Sequence, residues 1–202
     1  MKKQIFTIIL LAAGNIMAAS NMFPNSPFKQ SYPAAEHVKT AFKKSGFVEI
    51  PEKLPRFWRI GPGYGSKNPG GKITVSVAEN NVLVFQMDVR SAMLYCGNYR
   101  MDAEKMRGKT FEISLSALGK GSFRPMFHGY TAENKCVTFK QFPAVVIPQE
   151  GAYGKTAIKF DLPENIKSLD IGFIISGKVS VSGAELREIS PEESAILYPE
   201  KK

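Results

Sequence analysis

The sequence predicts an all-β fold, a jelly-roll β-sandwich of two antiparallel sheets. Three observations predict it. From Lys72 onward, apolar and polar residues alternate over most of the chain, the period of two that sets one side of a strand on a core and the other in water. The runs are short and bounded by Gly, Pro, Asn or Ser, which favour turns. The closing stretch FDLPENIKSLDIGFIISGKVSVSGAELREI, Phe160 to Ile189, reads as strand, Pro-Glu-Asn turn, strand, Ser-Gly-Lys turn, strand. Roughly eight or nine strands, each apolar on one side, suit two sheets sharing one core.

Residues 1–20 carry Lys2 and Lys3, an apolar run from Ile5 to Ala13, and the small residues Ala18, Ala19 and Ser20. This is the pattern of a signal peptide. The run is shorter than the about 20 apolar residues a membrane helix needs. The reading is an exported protein, periplasmic, cell-surface or extracellular, with no membrane insertion after signal removal; a retained anchor is the alternative. Residues 21–46 read as a linker. Asn21 to Pro33 is rich in Pro, Ser and Asn, the composition of a mobile segment. Ala34, Val38, Ala41 and Phe42 then share one face of a short helix that Gly46 stops.

The sandwich domain spans 47–190, and 191–202 is a flexible tail. Phe47 to Ile50 is the first strand, followed by a long loop, Pro51 to Gly71, that holds Trp58. Ile73, Val75 and Val77 alternate with Thr74 and Ser76. Leu83, Phe85, Met87 and Val89 alternate with Val84, Gln86, Asp88 and Arg90. Phe111, Ile113, Leu115 and Ala117 form the next strand, and a separate one from Ser122 to Tyr130 is expected to run back. Val137 to Ile147 is strand-rich. Ile158, Phe160 and Leu162 form one apolar face, and Leu169, Ile171, Phe173 and Ile175 another. Val179 and Val181 follow, with a bulge expected at Gly183.

With 202 residues, 44% of them hydrophobic, the chain supports one domain with a full core. The net charge of +9 is spread over short clusters such as Lys43 and Lys44, Arg56 and Arg59, and Arg107 and Lys109. That pattern is a solvated surface or one that meets an acidic polysaccharide or a cell-surface polyanion. No nucleic-acid-binding motif accompanies it, so nucleic acid is not an expected partner.

Cys96 and Cys136 are the only cysteines. If the strand from Thr110 runs away and the strand to Tyr130 runs back, both cysteines lie in loops at one end of the sandwich. A disulfide there is expected in an oxidising compartment; two separate thiols are the alternative. Tetrahedral zinc is short of ligands, because no histidines accompany them.

The Gly-rich segment GPGYGSKNPGG lacks the Walker spacing and the dinucleotide fingerprint. Only His37 and His128 are available for a triad, and neither GxSxG nor HExxH is present. No spacing singles out a pair of glycosidase carboxylates. The sequence therefore carries no catalytic motif.

The polar sides of three strands carry a different chemistry. Gln86, Asp88 and Arg90 are expected on one face with Glu112, Ser114 and Ser116, and with Arg124, His128 and Tyr130. Planar amides, carboxylates, guanidinium and imidazole pair well with sugar hydroxyls, and aromatic rings stack on the apolar faces of pyranoses. An ordinary wet sheet face is the alternative. Trp58, Tyr64, Tyr95, Tyr99 and Tyr153 fall in predicted loops, where rings build binding platforms or plug the ends of a core. Tyr95 and Tyr99 flank Cys96 and are the stronger candidates for a platform.

The order of a Trp loop, a Gly-Gly-Lys strand start, "NVLVFQMDV", "MRGKTFEISLSA", a Tyr-rich middle and "AIKFDLPENIKSLDIGFIISGKVSVSGAELREI" resembles the carbohydrate-binding modules of the family 4/9 type. These belong to the galactose-binding-like sandwiches. The resemblance covers roughly Phe47 to Ile189. It implies a non-catalytic module that holds a poly- or oligosaccharide in a sheet cleft or at a loop end. It also implies a structural calcium between first and last strands, where Glu49 and Glu185 occupy matching places. The family's acidic-Asn-Gly cluster is missing, and Phe139 or Tyr153 stands in place of its later Trp. The functional expectation is glycan binding through Gln86, Asp88, Arg90, Arg124, His128 and Tyr130 with Tyr95 and Tyr99. A structural or adhesion domain with a protein partner and a small glycan-cleaving enzyme are the alternatives.

Overall fold

The computed structural model describes residues 21–63, 66–147 and 153–199. The signal peptide expected over 1–20 lies outside them, as do Tyr64 and residues 200–202.

The strands in chain order are β1 (Ser31–Pro33), β2 (Phe47–Glu49), β3 (Lys53–Pro55), β4 (Arg59–Pro62), β5 (Gly71–Val77) and β6 (Leu83–Tyr95). They continue with β7 (Met101–Asp102), β8 (Thr110–Tyr130), β9 (Cys136–Gln141), β10 (Val145–Val146), β11 (Tyr153–Lys159) and β12 (Ser168–Ile189). Two helices, α1 (Glu36–Lys44) and α2 (Pro191–Leu197), flank them. The main sheet runs β10-β8-β12-β6-β5-β2, with β11 and β9 also on β8, β4 on β6 and β7 on β12. All its pairs are antiparallel except β2 with β5, which departs from the wholly antiparallel expectation. The fold is the predicted all-β sandwich.

The layers are joined by the two longest strands. The sequence predicts a reversal between Ala117 and Ser122, and a turn at Ser176-Gly177-Lys178. Instead β8 and β12 pair continuously through both places, Gly119 opposite Val179 and Gly177 opposite Gly121. Gly119 and Gly177 have φ of 123° and 106°, a region that only glycine enters at low cost. The strands bend there instead of turning back. A Cβ on either would lie 2.4 Å or less from the facing backbone, so the close approach also needs glycine. Bending brings the first half of β8, with β11, over the second half. Gly154 of β11 sits over the Phe123 ring, and Phe160 packs on Phe111 at 5.5 Å and on Phe127 at 5.6 Å. The bulge expected at Gly183 is present, as a register shift between Val181 and Gly183.

The expected linker is part of the core. Phe23 and Phe28 are buried and flank Trp58 at 5.0 and 5.3 Å. Trp58 is itself fully buried, stacks on Phe173 at 6.5 Å and donates its indole N–H to Pro24 O at 3.0 Å. It is a core plug, not a platform. Backbone bonds tie this segment to β12, Met22 N–H to Leu186 O at 2.9 Å and Phe28 N–H to Ser182 O at 3.3 Å. Its Pro, Ser and Asn content is explained by this strap geometry: Asn21 caps the β12 backbone through both Nδ2 and Oδ1. The helix predicted after it is α1, with Phe42 as its buried contact. The expected flexible tail also has structure, as Ser190 caps α2 by accepting from Glu193 N–H at 3.1 Å.

Candidate functional site

Even-numbered residues of β8, and of β12 before its bulge, face away from the core. Registers with β4, β6 and β9 extend that outer face sideways. One row runs Asp170, His128, Phe139 across β12, β8 and β9. The next runs Arg59, Tyr95, Gly172, Met126, Gln141 across β4, β6, β12, β8 and β9. A third runs Gly61, Met93, Ile174, Arg124. Ser176 and Ser122 follow.

This arrangement places Gln86, Asp88, Arg124, His128 and Tyr130 on one side of the sheet, as expected, but splits them. Gln86 pairs with Ser180, and His128 with Asp170. Ten residues of β12 separate those positions, about 30 Å at 3.3 Å per residue.

The Gln86 end is a groove of about 460 Å³ that also holds Glu49, Lys72, Asp88 and Lys178. Several of its polar groups pair with one another. Ser180 Oγ meets Gln86 Oε1 at 2.6 Å. Lys178 reaches Asp88 at 3.9 Å and Lys72 reaches Glu49 at 2.7 Å. Glu49 and Asp88 thus face one groove, but each is taken up by a lysine. Arg90 is exposed on the same strand.

The His128 end is a packed node. His128 is 5% exposed and Asp170 2%. Phe139 stacks on His128 at 4.9 Å and 23°, and Tyr95 approaches it at 5.9 Å. Gly172 lets β12 approach β6 closely at this point, since a Cβ there would sit 2.3 Å from Tyr95 Cβ and 2.4 Å from Leu94 O. Tyr130 Oη donates to Asp170 Oδ2 at 2.8 Å. Arg100 lies 3.5 Å from Asp170 Oδ1 and 3.7 Å over the Tyr130 ring. Burial raises the Asp170 carboxyl above its ordinary range, partly offset by Tyr130 and Arg100. Burial likewise lowers the His128 imidazole, so it stays neutral at physiological pH. Both are supporting groups beneath the surface, and the expectation that His128 touches a ligand directly does not fit its burial.

Between these ends the face is open. A groove of about 280 Å³ is lined by Ser91, Ser122, Ser176, Arg124, Gln141 and Ile174, with Ser66 and Ala144. Arg124 Nη1 donates to Gln141 Oε1 at 2.9 Å, which fixes an amide and a guanidinium side by side. Phe139, two residues before Gln141 on β9, is 41% exposed and lies on the same side. Sequence reasoning found Arg124 here but missed Gln141 and the four serines. β9 alternates polar and apolar residues with both sides wet, so its pattern gave no facing. Tyr99 is half exposed in the turn after β6 and meets Phe57 edge-on at 6.1 Å, away from this groove. Glu112 is not an open polar group either. It accepts from Tyr198 Oη at 2.5 Å and faces Arg187 at 3.3 Å under α2. The Tyr153 side chain lies outside the described residues.

The disulfide expectation is corrected: Cys96 and Cys136 are free thiols. Its premise, a reversal between Thr110 and Tyr130, is absent. Cys96 follows the outward Tyr95 and turns into the core, fully buried, whereas Cys136 is exposed on β9. The calcium expectation also lacks a donor set. Glu49 is held by Lys72, Glu185 is an exposed β12 residue opposite Ser114, and no group of three His, Cys, Asp or Glu among the described residues could hold a metal. No helix among them is long and apolar enough to cross a membrane.

No protein-family model matches the chain, and no curated protein matches it. Several solved structures are similar in strand arrangement. The enzymatically active domain of bacteriophage CBA120 tailspike protein 4 aligns at 14% identity and a TM-score of 0.44, over 66% of this chain and 20% of that one. A carbohydrate-binding module of the β-sandwich superfamily aligns at 8% identity and 0.41, over 64% and 56%. The module TmCBM61, solved with β-1,4-galactotriose, aligns at 10% identity and 0.40, over 78% and 99%. The chain thus spans about a fifth of the tailspike domain and just over half of the first module. The family 4/9 grouping rests on the sequence resemblance alone.

Proposed function

We propose that this is a non-catalytic, exported glycan-binding module whose site is the middle of the outer sheet face. One observation carries the reading. The Arg124–Gln141 pair, bonded at 2.9 Å, stands beside the half-exposed Phe139 ring and a groove rich in serine hydroxyls. Such a groove offers what a sugar needs: a planar fork for vicinal hydroxyls, adaptable hydroxyls, and apolar surface at Phe139 and Ile174 for the C–H face. His128 supports Phe139 from below, and Tyr95 widens the platform. Open, shallow sites of this kind bind weakly, because few atoms are withdrawn from water.

The test is affinity-gel or calorimetric binding across a panel of polysaccharides. Arg124→Ala and Phe139→Ala are each expected to lower the association constant about tenfold, the worth of one charged hydrogen bond or one stacking contact. Gln86→Ala, at the far end of β12, is expected to change nothing. If a bound glycan is lost with Gln86→Ala and kept with the other two, the site is the other groove.

A further inference from the structure

We infer that the outer face selects an acidic oligosaccharide, its carboxylates received by Arg59 and Arg124; this rests on the glycan-binding reading above. The charge arrangement carries the inference. On this face Lys72 is paired with Glu49, Lys178 with Asp88 and Arg100 with Asp170, while Arg90 and Lys120 are exposed with neither an ion pair nor a side-chain hydrogen bond to orient them among the described residues. No ion pair among the described residues involves Arg59 or Arg124. Arg59 is bonded through Nε to the neutral Asn98 at 2.8 Å, and Arg124 through Nη1 to the neutral Gln141. Both guanidinium groups are therefore oriented by amides, and both keep donors for an incoming anion.

Among the described residues, the groove at Arg124 contains no carboxylate. Neither does the neighbouring cleft at Arg59, of about 460 Å³, where Tyr32, Tyr95 and Asn98 converge. Asp170, which senses the Arg59 charge, is buried and already engaged by Arg100 and Tyr130.

Spacing defines the ligand further. Arg59 lies three strands from Arg124, across β6 and β12, and two residues along. That is about 15 Å from strand spacings of about 4.8 Å and a rise of about 3.3 Å per residue. The path between them passes Tyr95, Gly172 and Ile174, so it includes one aromatic ring. A chain of sugar rings with carboxylates some rings apart fits this path. A lone monosaccharide meets only one arginine.

Polygalacturonate, its fully methyl-esterified form and poly-glutamate are the probes, with binding read by calorimetry at low and moderate salt. Polygalacturonate is expected to bind, and the ester at least about tenfold more weakly, since it keeps the sugar and loses the charge. Poly-glutamate is expected not to bind measurably. Arg59→Gln and Arg124→Gln should each weaken polygalacturonate about tenfold. Lys178→Gln, the same charge change in the separate groove at the Gln86 end, should not. Equal binding of acid and ester, or of polygalacturonate and poly-glutamate, overturns the acidic selection. If a neutral glycan binds through Arg124 and Phe139 while the acid does not, acid selection falls and glycan binding stands. If no polysaccharide binds, both fall.

Discussion

At the scale of single residues, facing decides role more than chemical type does. Cys96 and Cys136 show it most directly. Burial, with Asp170 nearby, pushes the Cys96 thiol up to about 12. It is a small hydrophobe there, and a thiol that rarely ionises does not react. Cys136 is exposed. A thiol-specific reagent is therefore expected to modify one cysteine in the native protein and two after denaturation. No reactive thiol in denaturant without reductant would mean that the bridge exists after all. Gly172 is the counterpart: it contributes no chemistry, yet its missing side chain leaves room for the β6 backbone at Leu94 and Tyr95.

Among the elements, the two ends of the chain do unexpected structural work. The strap 21–30 supplies Phe23 and Phe28 to the rings around Trp58. Phe28→Ala should cost about 3–5 kcal/mol, the usual figure for truncating a buried aromatic, and urea unfolding measures it. A cost under about 1 kcal/mol would show that the strap is not docked.

Helix α2 is held by Glu112. Burial raises the Glu112 carboxyl, but the Tyr198 hydroxyl, Lys155 and Arg187 outweigh it, and the net shift is downward. A depressed folded value means that stability is complete above the unfolded carboxylate range, about 4.3, and is lost as pH falls through the folded value. Acidification below about pH 4 is thus expected to release α2, followed by NMR shifts of Ala195 and Ile196. Glu112→Gln should remove that pH step and loosen the helix at neutral pH.

For the molecule as a whole, the period of two was enough to give the class of fold, because a half-buried strand must alternate. Ile73, Phe85, Phe111, Ile171 and Val181 all face the core as read. What stayed hidden was non-local. Gly119 and Gly177 look like turn residues locally, and only the facing strand shows that they bend a continuous ladder. The composition of 21–33 suggests a tether, because its hydrogen bonds go to β12, far along the chain. The outer face was readable in part. Arg124 was found, but its partner Gln141 is set by a register between β8 and β9 that no single run encodes.

The strap has a consequence for how the protein is made. Met22 and Phe28 bond to Leu186 and Ser182, so the first described residues wait for nearly the last strand. Synthesis must reach at least Leu186 before the strap can close over Trp58. Long-range closure of this sort is slow. A slowly closing chain stays threadable for longer, which is what the proposed export would require.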